Sequence, residues 1–82
     1  MWYLYILECS DKTLYTGITN DLKKRIEKHN FSNLGAKYTR GRRPVKLVYS
    51  RRFKSKSRAT KEESVVKKLS REEKFDLIKK ES

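Results

Sequence analysis

The sequence predicts a small α+β domain, a three-stranded, mainly antiparallel sheet flanked by helices in the order β-β-α-β-α-α. Three observations lead there. Two short segments rich in aromatic and β-branched residues stand at the start of the chain, separated by a turn signal. A third such segment follows a proline in mid-chain. The remaining periodic stretches repeat their apolar residues at helical spacing. The 82 residues make a single domain over 1–82, with no internal repeat and no linker. A chain this short buries a modest share of its surface. Any active site is therefore expected as a shallow groove, not an enclosed cavity.

The first strand is "WYLYILE", Trp2 to Glu8, dense in β-favouring side chains. "CSDKT" is a turn. Leu14 to Thr19 completes a hairpin. Thr19 or Asn20 is a candidate cap for the next helix, with Asp21 in its first turn, where a carboxylate meets the positive end of the helix dipole. That helix runs to about His29 and Asn30. "NFSNLG" and the basic "AKYTRGRRP" are loops, and Pro44 ends them. Residues 45–50 form the third strand, with Val45, Leu47 and Tyr49 expected on one side and Val48 on the other. A helix over 54–69 carries Ala59, Val65, Val66 and Leu69 as its apolar positions. Ser70 with Glu73 makes a capping box, so a last helix follows, burying Phe75, Leu77 or Ile78.

Charge narrows the function. There are 22 basic and 10 acidic residues, a formal net charge of +12. In a domain this small that points to a polyanionic partner, nucleic acid first and an anionic membrane surface second. The single cysteine, Cys9, excludes an intrachain disulfide and a cysteine-based zinc site. It ends an apolar run, as a buried thiol would. "MWYLYILEC" is too short to span a bilayer and lacks a basic leader and a cleavage site, so a cytoplasmic protein is expected.

One helix face breaks the usual pattern. Leu22, Arg25, Ile26 and His29 fall at i, i+3, i+4 and i+7 and so share a face. A stripe that packs on a core should not carry Arg25 unless something there uses its charge. Arg25 offers a planar, permanently charged donor fork suited to phosphate. His29, one turn on and the only histidine, could donate to a phosphate oxygen or assist proton transfer.

These residues belong to a larger pattern. Tyr3-Leu4-Tyr5 on the first strand, Tyr15-Thr16-Gly17 on the second, Arg25 and His29 on the helix and Glu63 on a later helix stand in the order of a known set. The chain resembles the GIY-YIG nuclease domain, and through residues 35–50 the small stand-alone bacterial subgroup. Tyr3 in place of the first glycine, and Thr16 within the second tripeptide, depart from the family pattern. The resemblance implies a phosphodiester hydrolase, a Mg²⁺-dependent endonuclease with Mn²⁺ as an alternative ion. DNA is expected ahead of RNA, in repair or processing.

In that reading Tyr5 is the general base that takes or relays a proton from water. A free tyrosine titrates near 10, so nearby cations would have to lower it. Tyr15 is expected to hydrogen-bond the nucleophile, the metal's water shell or Tyr5. Gly17 allows close approach of backbone or phosphate, or a strand irregularity. Glu63 is the expected metal ligand, since one carboxylate with several waters suits Mg²⁺. Helical spacing instead sets Glu62 nearest the centre of the apolar stripe, and Thr60 with Glu63 also fits a capping box. Glu62 is therefore the alternative ligand. Lys37, Tyr38, Arg40, Arg42 and Arg43 cluster in one loop, where cations suit backbone phosphates and a tyrosine ring suits a base. No recognition helix or zinc module reads sequence. Specificity would then be weak or rest on a protein partner. The competing reading is a non-catalytic, basic nucleic-acid-binding protein.

Overall fold

A computed structural model describes residues 1–31 and 41–81, with the side chains of Phe31 and Glu81 excepted. The elements are β1 (Trp2–Glu8), β2 (Leu14–Thr19), α1 (Leu22–Phe31), β3 (Lys46–Phe53), α2 (Lys56–Lys67) and α3 (Arg71–Glu81). The strands form one antiparallel sheet in the order β2-β1-β3, as the sequence predicts.

β1 is the central strand and is covered on both faces. Leu4, Tyr5, Ile6 and Leu7 are each no more than 1 % exposed. Alternation divides them. Tyr5 and Leu7 join Cys9 and Val45 under Leu22 and Ile26 of α1. Leu4 and Ile6 join Tyr49 and Val66 of α2 on the opposite face, with Leu69 from the turn between α2 and α3 and Leu77 and Ile78 from α3 around them. The result is one helix, a sheet and a helix pair in three layers, so the two faces of a seven-residue strand seed two small cores.

The third strand departs from simple alternation. Tyr49 stands opposite Ile6 and Leu47 opposite Leu7, so Val48 is the extra residue of a β-bulge. The bulge puts Val48 and Tyr49 together against the Leu4–Ile6 core. Val45, Leu47 and Tyr49 therefore do not share a face, and Leu47 is left 40 % exposed. The strand also begins one residue later and runs to Phe53.

Capping sets the helix ends. Asp21, not Thr19 or Asn20, caps α1, with Oδ1 accepting from the Lys24 N–H at 3.1 Å. Thr19 instead steers the approach, its Oγ1 accepting from the Asp21 N–H at 3.1 Å. At the far end the Asn30 amide clamps Val45, accepting from its N–H at 2.7 Å and donating to its carbonyl at 3.1 Å. Ser55 caps α2. Thr60 lies inside that helix and donates to the Lys56 carbonyl, so no capping box forms with Glu63. Ser70 and Glu73 do make the predicted box on α3, with reciprocal bonds of 2.9 and 3.1 Å. Of the valine pair in α2 only Val66 enters the core; Val65 is 54 % exposed. No helix among the described residues is long and apolar enough to cross a membrane.

The valine pair gives a direct check on the layer assignment. Val66→Ala should lower stability by about 2 kcal/mol, from lost burial and an unfilled cavity. Val65→Ala should stay within about 0.5 kcal/mol. Urea unfolding of the two variants beside the parent chain measures both.

Candidate active site

The site is built on a contact between two neighbouring strands. Tyr5 and Gly17 are direct partners in the β1–β2 ladder. The Tyr5 ring lies on the bare Gly17 backbone. A methyl group at Gly17 would stand 2.6 Å from the Tyr5 hydroxyl oxygen and 2.8 Å from the ring carbon bearing it. Gly17 is thus needed for close approach, and what approaches is the Tyr5 phenol.

That phenol reaches α1 and explains its mixed stripe. Leu22 and Ile26 pack on the Tyr5–Leu7 core. Arg25 and His29, interleaved with them, converge on the hydroxyl. Arg25 Nε donates to Tyr5 Oη at 3.3 Å, and His29 Nε2 lies 3.2 Å from the same oxygen. His29 is fully buried. Tyr15 closes the group, its ring centre 6.3 Å from that of Tyr5 and 5.1 Å from that of His29. The polar members of the stripe therefore cover a buried hydroxyl that an apolar helix face would leave unsatisfied.

Burial and charge set the protonation states. Burial raises the Tyr5 pKa and outweighs the opposing pull of the Arg25 hydrogen bond and charge. Tyr15 and the Glu63 carboxylate raise it further. Tyr5 is accordingly a neutral phenol near pH 7, and the cation beside it does not create a standing phenolate. His29 is pushed the other way, down to about 4, by burial first and then by the charges of Arg25 and Arg43. Its imidazole is neutral at pH 7. Arg25 is held charged, chiefly by its bond to Tyr5.

The two glutamates of α2 part company. Once Val65 is removed from the buried stripe, Ala59 and Val66 define it, and Glu62 and Glu63 straddle its centre. Glu62 turns to Arg51 of β3, 3.8 Å away. Glu63 acts on Tyr5 and is the less exposed side chain, 21 % against 34 %, with Lys67 at 3.5 Å. No three acidic, histidine or cysteine side chains are grouped to hold a metal among the described residues. The donor set is one carboxylate beside phenol oxygens. It fits a hard cation such as Mg²⁺ that keeps most of its waters, and does not fit an ion that needs several protein ligands.

Of the basic loop, Lys37, Tyr38 and Arg40 lie outside the described residues. Arg42 makes an exposed ion pair, with Nε donating to Asp11 Oδ2 at 2.9 Å, and its carbonyl accepts from Ser10. Arg43 is half-buried and acts on His29. A different cationic surface opens beside Arg25, formed by Lys24, Lys28 and Lys56 around Trp2. These residues are far apart in sequence, and the only local signal was Lys24 and Lys28 flanking Arg25 on one helix.

Comparison with known proteins adds a family. The model for the GIY-YIG catalytic domain matches residues 1–76. A UPF0213 protein of Syntrophus aciditrophicus is 57 % identical over 77 residues, covering 94 % of this chain and 88 % of that one. A UPF0213 protein of Clostridium perfringens is 55 % identical over 82 residues, covering 100 % and 87 %. The solution NMR structure of the UPF0213 protein BH0048 from Bacillus halodurans superposes with a TM-score of 0.62 at 51 % identity, over 96 % of this chain and 84 % of that one.

Two outcomes follow from the cluster itself. Gly17→Ala should cost about 1–3 kcal/mol by overpacking against the Tyr5 ring, read by thermal or urea unfolding. His29, with its folded pKa lowered to about 4, takes up a proton more readily when the chain is unfolded. Its share of stability is full above about 6.5 and is lost as the pH falls toward 4. Urea titrations at pH 7 and pH 4.5 should show a fall of about 2–3 kcal/mol that is missing in His29→Gln.

Proposed function

This chain belongs to the GIY-YIG family, and on that footing we propose that it is a metal-dependent endonuclease hydrolysing phosphodiester bonds of DNA. The observation that carries the reading is a single phenol oxygen held between a guanidinium and a neutral imidazole, Arg25 Nε–Tyr5 Oη–His29 Nε2. A structural role alone needs one partner for a buried hydroxyl. Here the partners are a permanent cation and a neutral base.

Each side chain then has a task. Arg25 binds the scissile phosphate and stabilises the charge that builds on it in the transition state. Water attacks phosphorus and gives its proton to Tyr5 Oη as the Tyr5 proton passes to His29 Nε2. Tyr5 thus relays a proton and never has to exist as a phenolate. The low basicity of His29 fits this order of events. Burial is the main cause of it, and the charge of Arg25 is the next. A phosphate bound at Arg25 offsets that charge and makes His29 a better acceptor when substrate is present. Tyr15 orients the water or the Tyr5 hydroxyl. The leaving oxygen takes its proton from solvent.

Glu63 would hold the divalent cation, with Mg²⁺ the first choice and Mn²⁺ the second. When bound, the ion supplies positive charge beside the phosphate and the leaving oxygen. Nothing in the cluster reads bases, so cleavage would show little sequence preference unless a protein partner supplies it. A DNA-cutting domain of this kind suits repair or processing. A free, buried Cys9 is in keeping with a reducing, cytoplasmic setting.

The test is nicking of supercoiled plasmid, with branched DNA, single-stranded DNA and RNA alongside, in Mg²⁺, Mn²⁺ or chelator. Cleavage should need the metal. Glu63→Gln should abolish it while DNA binding persists, and Tyr5→Phe should slow it about 10²–10⁴-fold. Tight binding with no metal-dependent cleavage by the parent chain would instead favour the non-catalytic binding protein.

A further inference from the structure

One cavity opens beside the cluster. It is a groove of about 430 Å³ that opens from Arg25 toward the start of β1. Its volume falls within the usual range for ligand sites, roughly 300–1,000 Å³, but such sites are mostly apolar. This one is lined by Lys24, Arg25, Lys28 and Lys56, with Asp21 and Trp2 among its other residues. Four basic side chains thus stand against one carboxylate, and that carboxylate is engaged in capping α1 through the Lys24 N–H. Lys56 Nζ sits 5.3 Å from the centre of the Trp2 ring, which holds the ammonium over the groove. Among the described residues Lys24, Lys28 and Lys56 pair with no acid, whereas Arg42, Lys46, Arg51 and Lys67 each do.

Three lysines gathered around a polar cavity without counter-charges repel one another. Such an arrangement is stable at little cost only while solvent screens it, and it is satisfied by an incoming polyanion. Its position indicates which one. Arg25 lines the groove and also bonds the Tyr5 hydroxyl, so whatever enters the groove is continuous with whatever meets the cluster.

We propose that the groove of Trp2, Lys24, Lys28 and Lys56 binds the nucleic-acid backbone flanking the bond to be cut, and so sets the side from which the strand enters. The proposal rests on the nuclease reading for its placement beside the scissile phosphate. Lys24 and Lys28 meet phosphate oxygens from α1, and Lys56 meets them from the start of α2, with Trp2 as its support. None of these residues touches the reacting atoms; they position the strand.

The experiment measures binding of a fluorescent DNA oligonucleotide in chelator, where no turnover occurs, as a function of salt. The parent chain is compared with Lys24→Gln/Lys56→Gln. A control, Lys68→Gln/Lys74→Gln, removes the same charge, with Lys74 lying beside Thr13 and Leu14 away from the groove. The groove variant should bind about tenfold more weakly near 0.1 M salt, and its log–log salt slope should fall by about 1.4–1.8, as for two lost phosphate contacts. The control should change affinity less than about twofold. Equal effects of the two variants would overturn the proposal. So would a nucleoside diphosphate, or a phosphatidylserine vesicle, whose binding depends on Lys24 and Lys56 more strongly than that of DNA does. Cleavage by the parent chain in Mg²⁺ is scored separately. Its failure would sink the nuclease reading, while the binding comparison still decides whether the groove holds a nucleic-acid backbone.

Discussion

The contact between the Tyr5 ring and Gly17 is the constraint around which the rest is arranged. It joins two neighbouring strands at a point where any side chain on β2 would collide with the phenol. The ring is thereby pressed flat against the sheet and its hydroxyl is carried to a fixed height under α1. A buried hydroxyl at that height must be satisfied, and α1 meets the demand with Arg25 and His29. The helix itself is fixed at both ends, by the Asp21 cap and by the Asn30 clamp on Val45. Residue 5, residue 17 and the pair 25 and 29 come from three separate stretches of the sequence and depend on one another in space.

The electrostatics follow from the same arrangement. In a chain of net charge +12, the one histidine is fully buried and neutral, its charged form disfavoured first by burial and then by the charges of Arg25 and Arg43. Charging it would add a third cation to the influence of Arg25 and Arg43. The protein therefore holds a base that is weak while Arg25 is uncompensated, and an anion at Arg25 relieves part of that suppression. Burial keeps the Tyr5 phenol protonated, and Glu63 acts in the same sense, opposite to Arg25. Cation and carboxylate thus pull the same phenol in opposite senses, and burial, the largest influence, decides the outcome.

Much of this was legible in the residues, and what was not has physical causes. Strand and helix order, the antiparallel sheet and the Ser70–Glu73 box follow from local patterns that no tertiary contact overrides. The anomaly of Arg25 and His29 on an apolar stripe was visible, but not that its object is Tyr5, because a phenol 20 residues away leaves no periodic trace. The bulge at Val48 was hidden because one inserted residue looks like ordinary alternation until the partner strand is known. Val65 and Val66 are identical in sequence terms, and only the packing of α2 separates them. The same displacement of the stripe moves its centre from Glu62 to a line between Glu62 and Glu63. The basic loop drew attention because its charges are contiguous. The groove of Trp2, Lys24, Lys28 and Lys56 did not, because three elements contribute to it.

The location of Tyr5 on the central strand has a consequence for how this domain can change over time. Many enzymes carry their reactive groups on loops that can be exchanged without disturbing the scaffold. Here the phenol belongs to the most deeply protected segment, flanked by Leu4 and Ile6 on the other face. Its backbone is paired on both sides within the sheet, so the phenol we propose as the proton relay sits in a segment that opens only with the sheet. On the proposed reading, chemistry and folding thus draw on the same few residues. Drift that retunes the phenol must pass through the core, whereas the rim of lysines is free to vary. Descendants of such a domain would diversify in what they grip long before they diversify in what they do to it.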